Sequence, residues 1–193
     1  MDARGGVDRV AALLTAPNTM WEEVAGAPVA ARRLFTQLIL PFAIAGALAV
    51  TGGTAFLNRD WSETFGYSTS ARQAAGIGAA TLFLLALMPF VLAWVFQRLG
   101  GMYGSSRSYQ AALNVAAHGT VPIWVAGCLM FFAPMFIVAM AAFGYSCMLY
   151  AGGARIVLDV KPIDTAEFVG IALLFSSLIM SVIGMLAGAA GMI

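Results

Sequence analysis

The chain has 193 residues, 61% hydrophobic and only 10% charged, with a formal net charge of +1 and two cysteines. That charge leaves no basic field for a nucleic-acid partner, and five apolar spans leave no length for a second large domain. No Cys/His/acid cluster stands at ligand spacing, so neither a metal nor a cofactor is expected, and catalysis is not.

Residues 1–33 read as a cytoplasmic amphipathic amino-terminal segment. Val7, Val10, Leu14, Trp21 and Val24 recur at three- and four-residue steps, the period of one helix face. Pro17 divides the segment into two short helices. Thr19 and Glu22 have capping-box spacing, and Pro17 offers the alternative of opening the second helix at its first turn. Gly26, Ala27 and Pro28 close it. The segment either lies on the cytoplasmic leaflet, with Trp21 as an anchor at headgroup level, or caps the inner mouth of the bundle. No cleavable leader is read in this stretch, because acidic residues are mixed with basic ones and no apolar run precedes a small-residue site.

Residues 34–193 read as a five-helix transmembrane domain, with spans near 34–57, 72–99, 108–133, 135–158 and 166–192. Each is long enough for a hydrocarbon core of about 30 Å, which takes about 20 helical residues. None carries Asp, Glu, Lys or Arg in its central part, where one charge costs at least ~2.5–3.5 kcal/mol. The fold class is therefore all-α, a polytopic membrane bundle in contact with the lipid bilayer. With the amino terminus inside, eight basic residues lie on the inner side and only Arg59 and Arg72 outside. That bias predicts a multi-pass inner-membrane protein with a cytoplasmic amino terminus and a periplasmic or external carboxyl terminus.

Pro41 and Pro89 interrupt the first two spans, and each bends its helix or frees a carbonyl. The loop after the first span holds Trp61, Phe65 and Tyr67, aromatics of the type that anchor depth at a membrane boundary. Span three has the most distinctive polar pattern. Gln110, Asn114 and His118 follow at steps of four, stacking along one side of a helix. Pro122, four residues after His118, cannot donate to the His118 carbonyl and predicts a kink there. Two readings stay open. The seam is a proton or solute path of a small transporter or channel, with His118 titrating, or it is interhelical glue worth ~0.6–2 kcal/mol per bond. No span has an interior acid to accompany a proton path, which favours glue.

Spans three and four meet at Ala133-Pro134 as a tight hairpin. Cys128 and Cys147 then differ in depth by roughly 10 Å at 1.5 Å per residue, more than a disulfide tolerates. Gly152-Gly153 allows a bend or a close contact near the inner end of span four. In span five, Gly184 and Gly188 form a GxxxG step extended by Gly191, spacing that permits close approach within the chain or self-association as a homo-oligomer.

Three stretches carry a resemblance. LLTAPNTMWEEVAGAP (13–28) resembles the Pro-x-x-x-Trp-x-x-apolar segment that precedes the first span in bacterial members of the Yip family, the Ypt-interacting-protein domain family. AAHGTVPIW (116–124) is similar to that family's small-residue-then-proline signature, and YAGGARIVLDVKP (150–162) to its fourth-span exit. The resemblance covers the chain from about Val10 onward. It implies a five-helix membrane domain with a cytoplasmic amino terminus, acting as a scaffold that binds other membrane proteins. Eukaryotic relatives are linked to membrane traffic and prenylated Rab-type GTPases. The Asp-Leu-Tyr-Gly-Pro element of those relatives is absent here, so neither a Rab partner nor any functional residue is carried over.

Overall fold

The computed structural model describes residues 6–53, 55, 71–105, 108–129 and 136–189. These are helices and short connections, with no strand among them. Two short helices come first, α1 (Gly6–Thr15) and α2 (Pro17–Gly26), separated at Ala16 with φ −144° and ψ 64°. Pro17 stands in the first turn of α2, where its missing N–H costs nothing and its fixed φ suits a helix. No side chain caps α2, so the proline alternative is the one realised and the Thr19–Glu22 box is not formed.

Five helices among the described residues are long and apolar enough to cross a membrane, in agreement with the all-α, five-span expectation. The first, α3, runs Ala31–Gly52 and starts three residues earlier than expected, with Arg32 and Arg33 exposed on its first turn. A π turn occupies Phe35–Ile39, in which Leu40 N–H reaches back five residues to Phe35 O. The wider turn relieves the clash that Pro41 would otherwise make with the preceding carbonyls. Helix α4 (Ala71–Gly100) contains Pro89 and ends in a 3-10 turn. Gly104 follows with φ 77°, a left-handed conformation that glycine adopts freely.

Span three is two helices, α5 (Tyr109–Gly119) and α6 (Val121–Leu129). Ser108 caps α5, its Oγ accepting from Ala111 N–H at 3.3 Å. The break falls at Thr120, two residues before Pro122, as expected where a proline removes a helix donor. Helix α7 (Phe136–Ile156) and α8 (Thr165–Ala189) complete the bundle. Between them the chain turns at Asp159, φ 57°, while Val157 and Leu158 N–H close on Gly153 O and Val160 N–H on Ala154 O. These bonds satisfy carbonyls that the end of α7 would leave open.

Span three is the centre of the bundle. Some 72% of its apolar stretch is buried, against 17–33% for the other four spans. Helix α4 packs against α3, α5 and α8, while α7 packs against α2, α5, α6 and α8. Stacked aromatics tie three helices together: Phe96 of α4 lies 5.3 Å from Phe168 of α8 and 5.9 Å, edge-on, from Tyr150 of α7. Tyr103 joins this cluster through Phe168 and donates its hydroxyl to Glu167 Oε1 at 3.0 Å.

The amino-terminal helices share this core. Leu13, Met20, Trp21 and Val24 are buried with the residues of span three and α7. Leu13 of α1 is buried, whereas Leu14, taken for the buried face from its spacing, is 45% exposed. Both cysteines are free thiols, half-buried.

Candidate functional site

Asn114 is fully buried and grips both backbone polar groups of Val29, a residue of the linker between α2 and α3. Val29 N–H donates to its Oδ1 at 3.0 Å, and its Nδ2 donates back to Val29 O at 3.0 Å. This is the two-way pattern of a backbone pair, supplied by one side chain. The same Nδ2 also donates to Gln110 O at 2.8 Å. Gln110 Nε2 donates to Val29 O as well. Two of the three seam residues therefore hold the same peptide unit, because residues four apart lie above one another on α5.

His118 is the next step along the seam, 1% exposed. Its Nδ1 lies 2.8 Å from Asn114 O. A carbonyl only accepts, so Nδ1 carries a proton. The ring meets Trp21 edge-on, centroids 6.2 Å apart and planes at 85°. Trp21, a headgroup-level anchor in only one of the two readings of the segment, is fully buried.

The reason for its burial lies on α7. A β-carbon at Gly152 would sit 3.1 Å from Trp21 Nε1; one at Gly153 would sit 3.3 Å from Trp21 Cη2 and 2.7 Å from Val115 Cγ1. The two glycines leave a slot one indole thick, so the close-contact alternative for Gly152-Gly153 is the one realised. The Trp21 N–H has no hydrogen-bond partner among the described residues. Shape holds the ring in place. Lower on the same helix, the Tyr145 hydroxyl reaches the last turn of α1, 3.3 Å from both Leu13 O and Leu14 O.

At the break in span three, Thr120 Oγ1 donates to Ala116 O at 2.7 Å, which leaves the Tyr150 hydroxyl, 2.8 Å away, to donate to it. The Tyr150 ring lies against Gly119 where a β-carbon would be. Pro122 is buried just beyond. Tyr145, Thr120 and Tyr150 carry no signal in sequence that separates them from ordinary lining of a span, and only the fold shows what they touch.

Among the remaining candidates, Gly184 does not join this cluster. Gly184 lies partly buried on α8, and no atom of the described residues comes within 4 Å of where its β-carbon would be. Gly188 is on the same helix, with its surroundings outside the described residues. Trp61 and its loop, Gly191 and the Ala133-Pro134 turn also lie outside them. No group of three or more potential metal ligands occurs among the described residues.

A family model described as the Yip1 domain matches residues 11–185. Neither the curated proteins nor the solved structures gave a match.

Proposed function

The chain belongs to the Yip1 domain family, and from that premise we propose that it works as a non-enzymatic membrane scaffold that binds partner proteins, with its amino-terminal segment latched into the bundle. It is a multi-pass membrane protein with its lipid-facing helices in the bilayer. The observation that carries the scaffold reading is the use made of the polar seam. Gln110 and Asn114 hold the Val29 backbone, and Trp21 covers His118. Polar groups committed to the chain's own backbone act as glue and are not free to pass a solute along the span.

The orientation follows from charge. Arg32 and Arg33 at the start of α3, Arg98 at the end of α4, Arg155 at the end of α7 and Lys161 before α8 are all exposed and share one end of the bundle. The positive-inside rule assigns that end, and the amino terminus, to the cytoplasm. The inner membrane of a bacterium is the compartment this reading implies.

The competing reading is a small proton or ion carrier that uses the same seam. Purified protein in liposomes separates the two. The scaffold reading expects no flux that His118→Ala abolishes; flux that disappears in that variant overturns it. Stability gives a second readout. His118→Gln should stay within about 1 kcal/mol of the native chain, while His118→Leu should lose about 1–2 kcal/mol through the bond to Asn114 O. A leucine variant as stable as the native protein would remove the glue account of this residue.

A further inference from the structure

Three of the five spans carry an internal proline, and all three prolines stand near one level of the bundle. The basic ends of these spans lie at Ala31, Gly100 and Tyr109. At 1.5 Å per residue, Pro41, Pro89 and Pro122 are roughly 15, 16 and 20 Å from those ends. Side-chain contacts agree. Phe35 meets Phe90 with ring centroids 6.2 Å apart, and a β-carbon at Gly46 would lie 2.8 Å from Leu85 Cδ1. Those two contacts bracket Pro41 on α3 and Pro89 on α4. Phe42, next to Pro41, stacks on Trp124, close after Pro122, at 5.9 Å and 13°.

The backbone is interrupted at each proline. A π turn precedes Pro41, the break at Thr120 precedes Pro122, and Pro89 within α4 cannot donate to Leu85 O. The continuous buried core stops at the same level. Among the described residues, α3 adds nothing to it beyond Ile39, and α4 nothing before Leu92. Helix α7 enters it at Leu149 and α8 leaves it at Ala172, while α6 carries it further through Val121 and Trp124. Beyond that level α3 and α4 hold each other by close approach, since a β-carbon at Gly78 would overlap Thr51 Oγ1. Ala43, Ala47, Ala74 and Ala80 are buried there, and none of them belongs to the core cluster. A limb with its own packing thus meets the core where three helices are interrupted. Sharp helix bends fall at prolines and π turns, and hinges are the few residues that absorb backbone change between packed units.

We propose that the far parts of α3 and α4, Leu40–Gly52 and 71–88, pivot as one body on the core at the proline level, carrying α6 through the Phe42–Trp124 stack. The limb follows the thickness of the leaflet remote from the basic end, and the half that holds α1 and α2 keeps its shape. Hydrophobic mismatch supplies the force, because a span too long or too short for its bilayer tilts or bends. The α3 part has 13 residues, about 20 Å of helix, so a swing of about 15° moves its tip by about 5 Å. This goes beyond the scaffold reading and needs only that the chain span a bilayer.

Pulsed dipolar spectroscopy of nitroxide pairs tests it in full-length protein, with Cys128 and Cys147 replaced by alanine. One pair joins the limb to α8, through Leu48→Cys and Met185→Cys. The other lies in the core half, through Gln97→Cys on α4 and Met148→Cys on α7. All four side chains are exposed, so the labels displace little packing. The protein is reconstituted in thin dimyristoleoyl and in thick dierucoyl phosphatidylcholine vesicles. The distance between 48 and 185 should change by about 5 Å between the two, and that between 97 and 148 by less than about 1.5 Å. Replacing both hinges of the limb, Pro41→Ala with Pro89→Ala, should at least halve the larger change. Three results overturn the proposal: an outer distance as constant as the inner one, an inner change as large as the outer, or an outer change undiminished in the proline variant. The first two are read with the native prolines in place, so they decide the matter even where the proline variant fails to fold.

Discussion

Trp21→Ala should be the most damaging single change in the amino-terminal segment, costing about 3–5 kcal/mol, the range for removing a fully buried tryptophan from a packed core. The indole is fully buried, and the glycine slot behind it has no side chain that can swing in to fill the gap. Trp21→Phe should recover most of the loss, since it keeps a ring in the slot and breaks no hydrogen bond. Trp94 is the control: it is 47% exposed, and Trp94→Ala should change stability by less than about 1 kcal/mol. Reversible unfolding in mixed micelles measures all three. Equal losses for Trp21→Ala and Trp94→Ala would show that the slot is empty of consequence.

Asn114→Leu should cost about 2–3 kcal/mol. The substitution keeps volume but removes the acceptor for Val29 N–H and one of two donors to Val29 O, and a buried donor left without a partner costs about 1–3 kcal/mol by itself. Gln110→Leu should cost less, because Asn114 still serves Val29 O. Together the two changes should exceed the sum of the singles, since Val29 O then loses both side-chain donors. Strict additivity in that double-mutant cycle would mean that the two amides do not share one target.

Much of this architecture is legible in sequence because lipid imposes simple requirements. Five stretches of sufficient length with no charge in their central parts predict five crossing helices, and the positions of Pro17, Gly26 and Pro122 predict where helices start, stop and break. The four-residue spacing of Gln110, Asn114 and His118 shows that they share a face. What spacing does not show is what that face meets. An asparagine beside a neighbouring helix, beside water and beside its own chain's backbone all look alike in sequence, and only the fold brings Val29 to it. Trp21 leaves two readings open in sequence for a related reason. An amphipathic pattern with tryptophan reads as an interfacial anchor, whereas its depth depends on two glycines more than a hundred residues away. Leu14 in place of Leu13 is a local ambiguity, because positions three and four after Val10 both fit one helical face.

The amino-terminal segment is a built-in part of the bundle, held by the seam and the slot. Amide hydrogen exchange of residues 17–30, read by mass spectrometry in lipid nanodiscs, tests it most directly. Val29 and the inward turns of α2 should exchange at least a hundred-fold more slowly than an unstructured peptide, with that protection lost in Asn114→Leu while α7 stays protected. Exchange of the native segment at the unstructured rate, beside protected spans, would contradict it.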